Sequence, residues 1–273
     1  MKRKSQPTRA ERAARLLLDA HRSKLPFAPL PPELTPHSAD AAYDIQDELV
    51  ALKSDGCGPV AGWKIALTTP QMRAMLGVED SIGGTLHRGQ VQKSPGRVRA
   101  ADYVHLIVEF EVGVQLSEDL PAADAPYTRE RVAQAVGAVM PALEIADDWN
   151  ADYKTISQHA LQLAADNAWN EGAVLGEPVA DWQRIDLGAI RGVARINGKA
   201  VGEGYGRDAM GHPLESVVWV ANHLARRGRG LWRGAVVITG SLVTSKFPVA
   251  GDAIRFELDA LSAGPMNSSI WVT

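Results

Sequence analysis

The clearest pattern in this chain is the alternation of apolar and polar side chains from Leu106 to Leu116. Side chains in a strand repeat every two residues, so the even-numbered positions, all apolar, share one face. Glu109 and Glu111 share the opposite face. The pattern therefore predicts a β-strand with one buried face and two carboxylates on the other.

Short apolar or alternating runs between turn residues predict further strands. Asn197 and Gly198 separate two such runs, and Asn-Gly suits the type I′ turn of a β-hairpin. The predicted strands cover residues 62–67, 106–116, 139–146, 191–196, 199–204, 235–239 and 253–258, the last of which closes the chain.

Helical spacing of apolar side chains predicts the other elements. Thr8 and Glu11 form a capping-box pattern ahead of the first helix, and Ile45 and Leu49 follow Ser38 at helical intervals. The predicted helices cover residues 10–23, 38–56 and 156–165, with others beginning near Thr128 and at Pro213.

The order of these elements indicates an α+β fold, because helices come first and a mixed, β-rich part with interrupting helices follows. We expect residues 1–58 to form a helical N-terminal segment that packs on the core. Residues 59–273 are then one mixed-β unit that carries the candidate chemistry.

Composition excludes several classes of protein. Of the 273 residues, 45% are hydrophobic and 22% are charged, and the net charge is −3. That balance suits a globular protein with a real core, and it argues against nucleic-acid binding, which needs a basic face. No run reaches the roughly 18 apolar residues of a membrane span, and no secretory signal is evident. With Cys57 as the single cysteine, we expect a cytoplasmic protein without membrane or nucleic-acid partners.

Candidate chemistry begins with Glu109 and Glu111. Strand side chains two residues apart are roughly 7 Å apart, which suits two ligands of one divalent cation. A half-exposed strand face with two solvated carboxylates explains the same pair. Glu144 also lies in an apolar run, where an unpartnered charge is costly. Carboxylate ligands alone favour hard ions such as Mg²⁺ or Mn²⁺.

Lys64 interrupts the apolar run 62–67. A lysine held against an apolar wall loses proton affinity and can serve in proton transfer. A lysine that reaches water from a strand edge is the alternative. Farther along, Thr239-Gly240-Ser241 follows a predicted strand, where amides and hydroxyls are suited to hold a carboxylate.

Taken together, these residues resemble the hydratase/decarboxylase branch of the fumarylacetoacetate hydrolase superfamily. The resemblance runs through most of the chain, and the Glu-x-Glu pair followed by a later Glu is its specific part. Its segments are 42–46, 62–64, 109–111, 141–145, 166–167, 172–176, 219–224, 239–241 and 251–252.

The resemblance implies a mixed β-roll or barrel with flanking helices. It also implies a Mg²⁺ or Mn²⁺ ion held by Glu109, Glu111 and Glu144, with Lys64 in proton transfer. Substrate contacts are implied for Leu67, Asp166 and Ser241. A homo-oligomer is the usual state in this family.

Three positions depart from the pattern of the hydratases. Ile82 stands where they usually carry an Asp, and the decarboxylases tend to have an apolar residue there. Gly83 replaces a common aromatic residue, which predicts a wider pocket. Lys246 stands where a small apolar residue is expected, and it suits contact with a second substrate carboxylate. An exposed loop lysine is the alternative.

The implied function is metal-dependent hydration of a 2-hydroxy-2,4-dienoate or 2-oxo-enoate from aromatic-compound breakdown, through a metal-chelated enolate. Decarboxylation of a 2-oxo-3-enedioate is the alternative that Ile82 favours, and C–C hydrolysis is a third. A catalytically silent member that only binds an organic acid is a hypothesis of a different class.

Overall fold

Two open β-sheets with helices packed around them form the part of the chain that the computed structural model describes, residues 6–259 and 266–273. The α-helices are α1 (Arg9–Arg22), α2 (Ala39–Cys57), α3 (Pro70–Leu76), α4 (Arg129–Ala135), α5 (Ala160–Ala165) and α6 (Pro213–Arg226). The strands are β1 (Val60–Ala66), β2 (Ile82–His87), β3 (Val91–Lys93), β4 (Gly96–Val98), β5 (Leu106–Leu116), β6 (Val136–Asp147), β7 (Asn170–Leu175), β8 (Arg191–Ile196), β9 (Lys199–Tyr205), β10 (Val236–Lys246), β11 (Ala253–Leu258) and β12 (Met266–Val272).

The larger sheet has the strand order β2-β1-β10-β5-β6-β7-β3, and the smaller one has the order β4-β12-β11-β8-β9. Both sheets are mixed. In the larger sheet β1 is parallel to β10 and β3 is parallel to β7, and the other neighbouring pairs are antiparallel. In the smaller sheet β12 is parallel to β4, and the other pairs are antiparallel. The α+β, mixed-β prediction is confirmed. Neither sheet closes into a barrel within the described residues.

The main core lies between the two sheets. Phe110 on β5 is fully buried and its ring packs 5.6 Å, centroid to centroid, from Phe256 on β11. Val108 and Val112 lie on the same face of β5 and join that core. Because strand faces alternate, Glu109 and Glu111 point to the opposite side of the large sheet.

A second apolar cluster covers that opposite side. Helices α1, α2 and α5 contribute to it, together with Leu67, Trp149 and Trp169. Thr8 caps α1 with the predicted capping box, and Ser38 caps α2 by accepting a hydrogen bond from the amide of Ala41. Helix α1 packs on α2, and α2 contacts α5 and the edge strand β2. The division of the chain at residue 58 stays a prediction.

The local predictions were most accurate for elements with a clear period. The predicted hairpin is β8–β9, and Asn197 and Gly198 both have positive φ, as a type I′ turn requires. The expectation that 253–258 closes the chain was wrong, because β12 follows and pairs with both β11 and β4. Three elements that matter for the site, β2, α3 and β7, were not predicted from the sequence.

Candidate metal centre and its cavity

Three glutamates meet on the large sheet where β5 and β6 pair. Glu109 lies directly opposite Glu144 in the antiparallel register, and Glu111 is two residues along β5. One carboxylate oxygen from each lies within 4.8 Å of the other two. Glu111 and Glu144 are fully buried, and Glu109 is partly exposed. The structure thus brings together the three predicted metal ligands.

Hydrogen bonds fix each carboxylate through one of its oxygens. Ser245 donates to Glu109 Oε1 at 2.6 Å, and the amide of Gly240 donates to Glu111 Oε2 at 2.6 Å. Asn170 Nδ2 donates to Glu144 Oε1 at 2.8 Å. These donors hold the side chains with their remaining oxygens free to converge.

Two buried oxygens in this cluster, Glu111 Oε1 and Glu144 Oε2, have no hydrogen-bond partner. A buried carboxylate oxygen without a donor or a cation is costly. Mg²⁺ and Mn²⁺ take oxygen ligands and are commonly held by carboxylates. The donor set and its unpartnered oxygens therefore fit a hard divalent cation, with Glu109 supplying the third ligand from the cavity side.

Lys64 is buried beside the triad on β1, with its Nζ 3.1 Å from Glu144 Oε1. Burial lowers the pKa of Lys64, but the combined attraction of Glu144, Glu109 and Glu111 outweighs it, so the pKa is raised. The expected effect of burial on the pKa of Lys64 is therefore present, but in the protein without a metal ion the facing carboxylates outweigh it. The sequence showed the apolar neighbours of Lys64 but not the carboxylates that face it.

The carboxylates themselves hold protons more tightly than usual. Burial, and then the charges of Glu144 and Glu109, raise the pKa of Glu111 well above its ordinary value. Burial also raises the pKa of Glu144, although Lys64 opposes this. Three glutamates this close cannot all ionise in a dry site without a compensating cation.

A pH-dependent effect of metal removal follows from these shifts. Because the folded-state pKa values of Glu111 and Glu144 are raised, the metal-free folded protein binds more protons than the unfolded chain, and its stability falls as the pH rises through those values. Metal binding needs the ionised carboxylates and so strengthens over the same range. We expect the gap between the Tm in Mg²⁺ and the Tm in a chelator to widen with pH above the ordinary glutamate range.

Thermal unfolding followed with and without chelator at a series of pH values measures this gap. Histidines such as the partly buried His223, whose pKa desolvation lowers to about 4, affect both curves and cancel in the difference. A gap that stays constant across the series would contradict the metal assignment.

The turn at Gly240 positions the backbone amide that donates to Glu111. Gly240 has a φ of +97°, and a Cβ there would lie 2.4 Å from Cγ2 of Thr68. Only glycine lets the backbone approach closely enough for its amide to reach Glu111. The amide of Gly240 in this turn does hold a carboxylate, but that carboxylate belongs to Glu111 of the protein itself.

A cavity of about 500 Å³ opens beside the triad. Its floor includes Lys64 and Glu109, and its wall is largely apolar. The apolar lining residues include Leu67, Met72, Met75, Leu76, Ile107, Ile156, Leu163 and Trp169. Ser241 also lines it, so two of the predicted substrate-contact residues, Leu67 and Ser241, face the cavity.

The other two, Asp166 and Lys246, are not among the residues that line this cavity. Asp166 is buried under α1, with its Oδ1 2.8 Å from Nε2 of His21. Lys246 ends β10 opposite Val108. Both residues were predicted to contact the substrate, but neither side chain lines this cavity.

Ile82 and Gly83, two of the positions that differ from the pattern of the hydratases, have different surroundings. Ile82 begins β2 and is buried in the apolar cluster that includes Leu67. A Cβ on Gly83 would lie 3.2 Å from the ring of Trp219. The expectation of a wider pocket at Gly83 was therefore wrong, because Trp219 of α6 fills that space.

Several residues that build the site gave no signal in the sequence. Asn170 and Ser245 hold glutamates through contacts between distant segments, 26 and 136 residues apart. Tyr153 lines the cavity from an irregular segment after β6. Only a family pattern or the fold itself could have identified them.

Comparison with known proteins shows the family of this chain. The model of the fumarylacetoacetate hydrolase C-terminal family matches residues 74–269. A 2-hydroxyhexa-2,4-dienoate hydratase from Comamonas testosteroni is 32% identical over 244 residues, covering 89% of this chain and 90% of that one. A 4-oxalocrotonate decarboxylase from Pseudomonas putida is 30% identical over 232 residues, covering 85% of each.

Among solved structures, 4-oxalocrotonate decarboxylase from Pseudomonas putida G7, complexed with magnesium and adipate, superposes with a TM-score of 0.88. It is 25% identical, and the match covers 99% of this chain and 100% of that one. The chain belongs to the fumarylacetoacetate hydrolase family. Within it, the similarity is to the branch of hydratases and decarboxylases, which are lyases.

Proposed function

We propose that this protein is a divalent-metal-dependent hydratase of a 2-hydroxy-2,4-dienoate or its 2-oxo-enoate tautomer. The observation that carries the proposal is the placement of Glu109, Glu111 and Glu144 beside Lys64 at the floor of an apolar cavity. Hydratases that act on such substrates are among its relatives. Aromatic-compound breakdown is the setting in which we expect this substrate class.

The ion would be Mg²⁺ or Mn²⁺, held by the three glutamates. Bound there, it would supply a Lewis acid for the carboxylate and 2-oxygen of a 2-oxo acid. Support comes from the all-carboxylate donor set, from its two unpartnered oxygens and from the magnesium in the structure of the similar decarboxylase.

Lys64 would move a proton to or from the substrate chain. Its Nζ contacts Glu144 and its side chain lines the cavity. The attraction of the carboxylates keeps it protonated in the absence of the ion. A divalent cation would offset that attraction and leave the burial that lowers the pKa of a lysine. Lys64 is then suited to exchange a proton at the carbon next to the 2-oxo group.

Leu67 and Ser241 would contact the substrate, since both line the cavity. Leu67 contributes apolar wall that excludes water from the chain. Ser241 Oγ accepts from the amide of Phe110 and donates to the carbonyl of Val243, so it is held rigidly. Asp166 and Lys246, the other two predicted substrate contacts, lie outside this lining.

Decarboxylation of a 2-oxo-3-enedioate is the second candidate, and a specific observation favours it. Ile82, the position that carries an acid in the hydratases, is buried among apolar side chains. The similar decarboxylase was solved with adipate, a six-carbon dicarboxylate. CO₂ loss needs the same metal and proton donor but no activated water.

One assay separates the candidates. The purified protein with Mg²⁺ is given 2-hydroxypenta-2,4-dienoate and, separately, 2-oxohex-3-enedioate, and NMR follows water addition while a coupled assay follows CO₂. We expect the 4-hydroxy-2-oxo product from the first substrate. CO₂ from the second without hydration of the first would establish the decarboxylase. Stabilisation by both acids without turnover would indicate a silent binding member.

We further propose a cytoplasmic homo-oligomer. A free Cys57 as the single cysteine suits a reducing compartment. Large apolar side chains are exposed at Met75, Phe247, Val249 and Trp271, as at surfaces that contact another protein. Among the described residues, no helix has the length and apolar character needed to cross a membrane.

A further inference from the structure

Tyr153 is a polar side chain of the cavity that the proposed function does not yet use. It lines the cavity that also contains Lys64 and Glu109, and it is about half exposed. Its ring packs edge-on against Trp169, another lining residue, with the centroids 6.4 Å apart. Its hydroxyl donates to Asp148 Oδ2 at 2.8 Å. The phenol is therefore oriented by contacts at both its ring and its hydroxyl.

The hydroxyl of Tyr153 is paired with the carboxylate of Asp148, which is shielded from solvent. The carboxylate is fully buried, although it follows a strand in an irregular segment. Its Oδ1 contacts Nδ1 of His105 at 2.8 Å and accepts from the amide of Asn150 at 2.8 Å. The other oxygen, Oδ2, meets Tyr153. A buried carboxylate is costly unless its partners compensate, so its position against Tyr153 is a specific feature of the site.

The ring of His105, which contacts Asp148, is itself held by an aromatic neighbour. Its ring stacks on Phe247, with centroids 4.7 Å apart and planes within 7°. Phe247 directly follows β10, the strand whose Ser245 holds Glu109. A continuous set of contacts thus runs from the strand whose Ser245 holds Glu109, through Phe247, His105 and Asp148, to Tyr153, which lines the cavity.

Other polar side chains of the cavity are engaged in the fold. Ser245 donates to Glu109, Ser241 donates to the carbonyl of Val243, and Thr69 caps α3. Asp208 accepts from the amide of Tyr205. Tyr153 differs because its hydroxyl donates to Asp148, a carboxylate outside the glutamate triad, and the oxygen keeps lone pairs that can accept a hydrogen bond. Burial and the neighbouring Asp148 raise the pKa of Tyr153, so the phenol stays neutral.

We propose that Tyr153 orients the water that adds to the substrate and that Asp148 receives the proton of that water through the Tyr153 hydroxyl. This inference rests on the proposed hydratase function. It supplies a water-handling group that the apolar Ile82 does not, and it favours hydration over CO₂ loss.

Hydration by this route adds the hydroxyl of water to C4 of the substrate and a proton to C3. The water oxygen forms a bond to C4 of the 2-oxo-3-enoate, and the C3–C4 π electrons move toward the 2-oxo group to give an enolate. The water proton passes to Tyr153 while the Tyr153 proton passes to Asp148. Lys64 gives a proton to C3, and solvent returns the proton of Asp148 to Lys64. The net change is the addition of one water molecule.

The test compares wild type with Tyr153→Phe in two assays with Mg²⁺ present. The first is hydration of 2-hydroxypenta-2,4-dienoate. The second is exchange of the C3 hydrogens of 2-oxopentanoate in D₂O, which needs the metal and Lys64 but no water addition. We expect kcat for hydration to fall roughly 100-fold with KM nearly unchanged. We expect the exchange rate to stay within about twofold of wild type.

Controls separate this role from a structural one. Tyr103→Phe removes a phenol that is not among the residues lining the cavity, and it should hydrate like wild type. Asp148→Asn keeps the shape of the side chain but is a poor proton acceptor, so it should lose hydration by at least roughly tenfold. Mn²⁺ affinity and Tm, measured for each variant, show that the site is folded.

The outcomes are distinct. Tyr153→Phe that hydrates at the wild-type rate overturns the role of Tyr153, and Asp148→Asn that does so overturns the proton transfer to Asp148. Parallel loss of exchange and hydration in Tyr153→Phe shows general damage to the site and overturns the specific role. Wild-type protein that exchanges hydrogens but does not hydrate refutes the proposed function itself.

Discussion

Glu144→Gln is expected to abolish turnover and metal binding together while leaving the chain folded. The substitution keeps the shape of a buried side chain but removes the charge of one of the three proposed ligands. A metal that polarises the substrate contributes several kcal/mol, so activity should fall roughly 1,000-fold or more. The assay is kcat/KM for the dienoate over a range of Mg²⁺ concentrations, with Mn²⁺ binding measured by calorimetry.

The same substitution has two opposed effects on the metal-free protein. Replacing the buried Glu144 by a neutral amide relieves repulsion from two carboxylates but removes the one paired with Lys64. We expect the variant to lose the stabilisation by Mg²⁺, measured as the difference in Tm with and without chelator. Glu118→Gln is the matched control, because Glu118 is an exposed acid just after β5 whose contact with Arg131 is on the surface. Full activity of Glu144→Gln at ordinary Mg²⁺ would remove Glu144 from the ligand set.

Lys64→Met is expected to separate turnover from metal binding. Methionine fills a similar apolar volume but carries no proton, and loss of a positioned acid or base costs roughly 100- to 10,000-fold in rate. The Lys64 ammonium, 3.1 Å from Glu144, competes with a divalent cation for the same negative charge. Metal affinity should therefore stay the same or rise. Single-turnover kinetics and Mn²⁺ calorimetry on one preparation measure both quantities.

Lys53→Met is the control for Lys64→Met. Lys53 is also a buried lysine, and its Nζ lies 2.8 Å from Glu171 Oε1, away from the cavity lining. Removing one partner of a buried ion pair costs about 3–5 kcal/mol, so Lys53→Met should lose stability but keep turnover in its folded fraction. Wild-type turnover by Lys64→Met would exclude Lys64 as the proton-transfer group.

The pattern around β5 predicted much of the site because the needed information is local. Alternation alone places Glu109 and Glu111 on one face and Phe110 in the core, and the structure has both features. Whether the pair faced water or a metal was not decidable from that strand. The answer depends on Glu144, which the antiparallel register of β5 and β6 brings opposite Glu109.

The elements that were missed are those in which tertiary contacts override local propensity. Strand β2 contains Gly83 and Gly84, which disfavour a strand on their own. A Cβ on Gly84 would lie 2.6 Å from the carbonyl oxygen of Asn167, so glycine there reflects a close approach of two segments. Strand β12 includes Asn267, Ser268 and Ser269, which lack clean alternation. Pairing with β11 and β4 supplies its stability.

The protonation of Lys64 could not be predicted from its neighbours in sequence. Gly62, Trp63 and Ile65 indicate burial, which lowers the pKa of a lysine. The carboxylates that reverse the direction come from β5 and β6. Asp148 shows the same limit, since its contact with His105 joins segments 43 residues apart.

The most direct test of the metal centre is an anomalous-difference map from crystals grown with Mn²⁺. A single strong peak per chain is expected between the carboxylates of Glu109, Glu111 and Glu144, with metal–oxygen distances of about 2.0–2.4 Å. Crystals of Glu144→Gln should lack that peak. A Mn²⁺ peak elsewhere in the chain, or none beside the triad under conditions that support turnover, would contradict the assignment of these three glutamates as the metal ligands.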